Sequence, residues 1–320
     1  MSKLNKKDRI LILGNKGMVG SAIERKLKSK NYQNVIGLNR RQLDLSIQNN
    51  LKKYLKKNKI DCIFLCAAKV GGIFSNNKFP ANYIFENINI QNNAINESYL
   101  SGVKKFLFLG SSCIYPKFSN QPIKESELFC GKLEPTNEAY AMAKIAGIKM
   151  CESYNRQYKL DYRSVMPTNL YGQNDNFDPF HSHVIPALIS KFHKAKSDNK
   201  KTILISGNGK AKRDFLHVDD MAEACIKIME FNKQKYNKII DIRCSHINIG
   251  SGEEISIKEL VIKIAKIVGF NGKIKFDIKK TNGMDRKILN INKIKKIGWN
   301  KKISLDKGLM NTYNWFLKNC

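Results

Sequence analysis

Short apolar runs that stop at glycine or small polar residues recur along this chain, each followed by a stretch whose apolar positions return every three to four residues. Ile10-Leu11-Ile12-Leu13 is the first such run, and Gly14-Asn15-Lys16-Gly17-Met18-Val19-Gly20 leads from it into a helical pattern from Met18 to Leu27. Val35 to Leu38, Cys62 to Leu65 and Phe106 to Leu109 read likewise, and Tyr162 to Met166 reads as a fifth strand. Runs this short, bounded by turn formers, predict buried strands. Ile84, Ile88, Ile95 and Tyr99 share one face at helical spacing, so a helix packed on the core is expected there, with a helix-to-helix dimer contact as its second use. A further helix carries Tyr140 and runs to about Tyr158. This alternation predicts an α/β fold: a Rossmann-type doubly wound parallel sheet, with ligands at the carboxyl ends of its strands.

Past Gly172 the rhythm loosens. Thr202 to Ile205 reads as a strand, Lys212 to Asp220 opens a helix, Ile255 to Val268 is a helix, Lys273 to Phe276 a short strand, and Leu305 to Leu317 is amphipathic. The expected division is a dinucleotide-binding domain over 1–172 and a smaller C-terminal α/β substrate-binding lobe over 173–320, partly interleaved with the first. No internal repeat breaks this reading.

Composition changes little. With 42% hydrophobic and 26% charged residues, and no apolar run of membrane-spanning length, the chain reads as soluble and cytoplasmic, without a signal peptide or membrane association. Eight cysteines without a C-x-x-C pair or metal-ligand spacing read as reduced thiols, and no metal is expected. The net charge of +30 raises polyanions as partners. The lysines are scattered instead of clustered, which argues against a specific nucleic-acid site and leaves a basic surface that draws in anionic small molecules.

The strand ends carry the candidate chemistry. A glycine-rich turn between a strand and a helix lets backbone N–H groups approach a phosphate at the positive helix end. The second strand ends in Asn39-Arg40-Arg41, where an Asp or Glu would read the adenosine ribose hydroxyls. With Lys16 in the glycine loop, those arginines argue for NADP(H) over NAD(H). Ala67 and Ala68 end the third strand with side chains small enough for close passage of a cofactor. The fourth ends in Gly110-Ser111-Ser112-Cys113, and Tyr140 and Lys144 lie one helical turn apart. An ammonium beside a phenol favours the phenolate, which predicts a lowered Tyr140 pKa. His217 and Asp219 read as a helix cap and brace.

These segments together resemble the GDP-L-fucose synthase family, NADPH-dependent 3,5-epimerase-4-reductases of the extended short-chain dehydrogenase/reductase superfamily. The resemblance rests on Gly-Asn-Lys-Gly-Met-Val-Gly-Ser at 14 to 21, Ala-Ala-Lys-Val-Gly-Gly at 67 to 72 and Leu-Gly-Ser-Ser-Cys-Ile-Tyr-Pro at 109 to 116. Ala-Tyr-Ala-Met-Ala-Lys at 139 to 144 and Ser-His-Val-Ile-Pro at 182 to 186 extend it over nearly the whole chain. It implies that Ser111, Tyr140 and Lys144 form the reductase triad and that Cys113 and His183 move protons during epimerisation, His181 being a weaker match. It places NADP(H) against Gly14, Asn15, Lys16, Gly17, Met18, Val19, Gly20, Arg40, Leu45, Ala67 and Ala68. The same contact set includes Leu109, Gly110, Ser111, Ser112, Tyr140, Lys144, Pro167, Thr168, Asn169, Leu170 and His183. A GDP-sugar would meet Lys191, Ser206, Arg213 and Asn282, and a homodimer is implied. Ser206 and Asn282 depart from the family's Trp and Asp.

The expected reaction converts GDP-4-keto-6-deoxy-D-mannose to GDP-L-fucose, by epimerisation at C3 and C5 and hydride reduction at C4. The alternatives are a colitose-type enzyme acting on another GDP-4-ketosugar, and a sugar-nucleotide dehydratase or 4-epimerase of the same fold. A dehydratase would need an acid beside the triad Ser, where this chain has Ser112 and Cys113. A noncatalytic nucleic-acid-binding protein would have no use for the intact Ser, Tyr and Lys set.

Overall fold

Strands buried on both faces are mostly apolar, because a polar residue there needs a buried partner. The first apolar runs meet that condition: Ile10 to Leu13, Cys62 to Leu65 and Phe106 to Phe108 are all buried. A computed structural model describes residues 3–178, 182–277 and 284–320. Its first half runs β1 (Arg9–Leu13), α1 (Met18–Ser29), β2 (Asn34–Leu38), α2 (Gln48–Lys57), β3 (Cys62–Leu65), α3 (Ile73–Lys78), α4 (Pro80–Leu100), β4 (Lys105–Leu109), α5 (Glu138–Tyr158), β5 (Asp161–Pro167) and β6 (Asn169–Tyr171). Next come α6 (Val184–Ser197), β7 (Thr202–Ser206), β8 (Lys212–Arg213), β9 (Phe215–His217), α7 (Val218–Glu230), α8 (Lys233–Asn237) and β10 (Ile247–Ile249). β11 (Ile255–Ser256), α9 (Ile257–Val268), β12 (Lys273–Asp277), β13 (Arg286–Lys287), α10 (Asn292–Lys296) and α11 (Leu305–Asn319) complete it.

The main sheet has six parallel strands in the order β10-β5-β4-β3-β1-β2. Strand order reverses beside β1, which pairs with both β2 and β3. A crevice opens at such a switch point. Gly14 N–H donates to the Leu38 carbonyl and Ala67 N–H to the Leu13 carbonyl, each at 2.8 Å, so the two loops meet over the end of β1. The chain returns late to this layer: α7 packs on α1 and β10 pairs with β5. A second apolar cluster holds α6, α9 and α11 together through Ile189, Phe192, Leu260, Ile264, Leu309 and Phe316. It is flanked by the parallel pair β7 and β12.

Two expectations are corrected. The helical pattern from Ile255 begins as a two-residue strand, and the helix starts at Ile257, where Ser256 and Glu259 form a capping box. On α4 the buried face is Tyr83, Asn87, Gln91, Ala94, Ile95 and Ser98, while Ile84, Ile88 and Tyr99 are half-exposed. Polar residues take the core side because they have work there: Gln91 donates to the Ala143 carbonyl at 2.6 Å and Asn87 holds both backbone groups of Lys69 at 3.0 Å. His217 does cap a helix, its ring accepting the Asp219 N–H at 3.2 Å.

Candidate active site

The glycine loop is close-packed against backbone. A Cβ on Gly20 would lie 2.2 Å from the Gly14 carbonyl oxygen. Gly14 has φ +90 and would clash at 2.7 Å with the Ala67 nitrogen, so both positions require glycine. Gly17 caps α1 without a side-chain cap, and the first turn holds no acidic residue. Its N–H groups therefore stay available to an anion. Asn15 donates to Glu24 at 3.0 Å and leaves its Oδ1 buried without a partner. Lys16 is exposed, Met18 half-buried and Val19 buried at the helix start. These residues fit a dinucleotide: a bare backbone cradle, an unpaired acceptor and a lysine at its rim.

At the end of β2, Arg40 is exposed and lies 3.4 Å from Asp44 and 3.8 Å from Glu86. Leu45 is buried, its carbonyl accepting from Asn93 at 2.8 Å. Ala67 and Ala68 are half-buried. Gly110 passes against Met166, whose methyl would lie 2.2 Å from an added Cβ. Pro167 and Thr168 are buried and Asn169 and Leu170 half-buried beyond β5.

β4 and α5 bring the candidate catalytic residues to one place. Ser111 is the N-cap of a short 3₁₀ turn over Ser112–Ile114, its hydroxyl accepting the Cys113 N–H at 3.2 Å. The Tyr140 phenol lies beside the same hydroxyl. Lys144 is buried, donates to the Leu109 carbonyl at 2.9 Å, and lies 5.0 Å from the centre of the Phe108 ring and 5.7 Å from that of Tyr140. Ser111, Cys113, Tyr140 and Lys144 are therefore brought together. The expected lowering of the Tyr140 pKa is overturned. Burial holds the phenol above its ordinary value, the neighbouring Cys113 adds to this, and the Ser111 hydroxyl only partly opposes it. Lys144 points at a carbonyl and is itself pushed down by burial to about 8.

The remaining predicted residues come from the second lobe. His183 is the N-cap of α6, and the protein around its ring holds the imidazole below its ordinary pKa. Lys191 lies on α6 and donates to the Leu204 carbonyl. Ser206 ends β7 and is exposed, and Arg213 in β8 has its pKa lowered by burial. Asn282 and His181 lie outside the described residues. Among the described residues, no group of His, Cys, Asp or Glu could hold a metal ion.

Three features escape a reading of the sequence. Asn137 is the N-cap of α5, but its side chain donates to the Cys113 sulfur at 3.4 Å and its Oδ1 is buried without a partner. Buried Asp214 receives the Thr168 hydroxyl at 3.0 Å and the Asn169 amide at 2.9 Å on its carbonyl, while its carboxylate takes the Ser251 hydroxyl at 2.6 Å. That residue ties the end of β5 to the loop after β10. Tyr115 donates to Asn248 at 2.5 Å and lies 3.1 Å from His246, anchoring the turn just after Cys113. None of the three is marked by a local spacing, since each joins residues far apart in the chain.

Residues 10–250 match the model of the NAD dependent epimerase/dehydratase family. The chain is 50% identical to the GDP-L-fucose synthase of Escherichia coli (strain K12), with 98% of each chain covered. The GDP-L-colitose synthase of Yersinia pseudotuberculosis is more distant, at 37% identity with 97% of this chain and 98% of that one covered. A crystal structure of a GDP-D-glycero-L-gluco-heptose synthase from Campylobacter jejuni in the presence of NADPH superposes with a TM-score of 0.92, at 36% identity over 98% of this chain and 99% of that one. The chain belongs to the NAD dependent epimerase/dehydratase family, on the branch of the GDP-L-fucose synthases.

Proposed function

We propose that the chain converts GDP-4-keto-6-deoxy-D-mannose to GDP-L-fucose, inverting C3 and C5 before reducing C4. The observation that carries this reading is the Cys113 thiol beside Tyr140, its sulfur accepting from the Asn137 amide while its backbone N–H is held by Ser111. A plain ketone reductase needs no thiol there. The C4 ketone acidifies the hydrogens on C3 and C5, so a single site for its oxygen serves both inversions and the reduction. Tyr140 and Ser111 hold that oxygen and stabilise the enolate as its charge develops. Cys113 and His183 exchange protons with the two carbons. Bound NADPH supplies the hydride to C4. Tyr140, whose raised pKa keeps it protonated at neutral pH, gives the proton to the resulting oxygen. Lys144 grips the nicotinamide ribose, and Arg40 with Lys16 receives the 2′-phosphate.

Lys191 and Arg213 bind the diphosphate through charge-assisted contacts. Ser206, small and exposed where the family carries Trp, favours a second reading: the same chemistry on another GDP-4-ketosugar. Side-by-side progress curves with GDP-4-keto-6-deoxymannose and its 3-deoxy analogue, each with NADPH, decide between them. Faster NADPH consumption with the first supports the leading reading. Equal inertness toward both rejects it.

α4 and α5 leave Phe85, Leu100, Met142 and Tyr158 exposed, and this exposed apolar face supports a homodimer in solution, tested by light scattering. No described helix is long and apolar enough to cross a membrane, and with unpaired cysteines this supports a cytoplasmic location.

A further inference from the structure

Glu86 stands on α4 between two cations near the ends of β2 and β3. Its carboxylate forms an ion pair with Lys69 and lies 3.8 Å from the Arg40 guanidinium. Neither cation owes its backbone position to this contact. Asn87 holds the Lys69 N–H and carbonyl at 3.0 Å each, and Arg40 belongs to the turn after β2. Asp44, the other acid near Arg40, accepts Ser46 on Oδ1, at 2.9 Å from the N–H and 2.7 Å from the hydroxyl, and pairs with Arg40 at 3.4 Å through Oδ2, whereas Glu86 meets Arg40 and Lys69 together. Glu86 is therefore the acidic group that faces both cations.

The end of β2 is where an adenosine ribose is read, and the two kinds of charge act there in opposite senses. A guanidinium attracts a 2′-phosphate, whereas a carboxylate repels it and suits the unmodified ribose. This chain brings both within 3.8 Å. We propose that Glu86 sets how strongly the chain prefers a 2′-phosphorylated over an unphosphorylated cofactor, by competing with the 2′-phosphate for Arg40 and Lys69. The proposal rests on the reading in which Arg40 receives that phosphate. On binding, the phosphate must take over at least one of the two cations from Glu86, and the carboxylate stays nearby as a like charge. Glu86→Gln removes the charge and keeps the shape.

The test is calorimetric titration of the full chain with 2′,5′-ADP and with 5′-AMP, for the unsubstituted protein, Glu86→Gln and Arg40→Gln. The side chains of Glu86 and Arg40 are 24% and 71% exposed, so both substitutions are compatible with folding. Glu86→Gln is expected to tighten 2′,5′-ADP by about three- to tenfold while 5′-AMP stays within about twofold, a difference that shrinks at high salt. Arg40→Gln is expected to weaken 2′,5′-ADP selectively. An unchanged affinity ratio in Glu86→Gln, or weaker binding of 2′,5′-ADP, overturns the role of Glu86 even where Arg40→Gln behaves as expected. No selective loss in Arg40→Gln overturns the Arg40 reading, and this proposal with it.

Discussion

Asn137 donates a side-chain hydrogen bond to the Cys113 sulfur across 3.4 Å. That contact fixes the direction of the sulfur, which must face the carbon whose proton it exchanges. Asn137→Ala is expected to slow exchange of the C3 and C5 hydrogens with solvent by about 10- to 100-fold, the scale of misplacing a reacting group. NADPH affinity should not change. Exchange at the original rate would reduce the contact to packing.

Lys144 is expected to show a conflict between stability and activity. Burial takes its pKa from 10.5 to about 8, so keeping it charged costs the folded chain about 3 kcal/mol. The sign follows from the unfolded chain holding its proton more tightly between those two values. Below pH 8 the cost is carried in full; above 10.5 the amine is neutral in both states and the cost is gone. Lys144→Met should therefore melt higher than the original protein at pH 7, less about 1 kcal/mol for the lost bond to Leu109. The gain should fade as pH rises through that window, and reduction of the sugar should be abolished. A lower melting temperature at pH 7 would contradict the view of Lys144 as a buried, uncompensated cation.

Two glycines of one loop should separate stability from binding. An added methyl at Gly20 meets the Gly14 carbonyl at 2.2 Å, whereas at Gly17 its nearest neighbour is 3.5 Å away. Gly20→Ala is expected to cost roughly 1–3 kcal/mol in denaturant unfolding, as overpacking does. Gly17→Ala should fold with full stability and lose NADPH affinity, because its methyl projects where a phosphate would approach the α1 N–H groups. Unimpaired NADPH binding by Gly17→Ala would place the phosphates elsewhere.

The parallel sheet was legible because most of its strands carry an unbroken apolar run, Ile10 to Leu13 and Phe106 to Leu109 among them. Those runs stop where the fold needs small residues, and that exposed the glycine loop and the Ser111 turn. The core side of α4 was misread for the opposite reason. Its buried Asn87 and Gln91 serve the backbone of Lys69 and Ala143, and a hydrophobic pattern gives polar residues to solvent. The pairing of Tyr115 with Asn248 spans 133 residues, a separation that no local spacing encodes. The Tyr140 pKa was misjudged because a four-residue spacing reports the Lys144 neighbour but not the depth of burial. Asn137 stands at the N-cap of α5, yet its side chain turns to Cys113, a contact across 24 residues that no local pattern marks.

The central claim is that Cys113 makes this site an epimerase as well as a reductase. Its most direct measurement is the deuterium content of the product formed from GDP-4-keto-6-deoxymannose and NADPH in heavy water. The unsubstituted chain is predicted to give GDP-L-fucose deuterated at C3 and C5, and Cys113→Ala, with NADPH still bound, neither deuteration nor inversion. A reduced product without deuterium at those carbons from the unsubstituted chain, or full deuteration and inversion by Cys113→Ala, would contradict it.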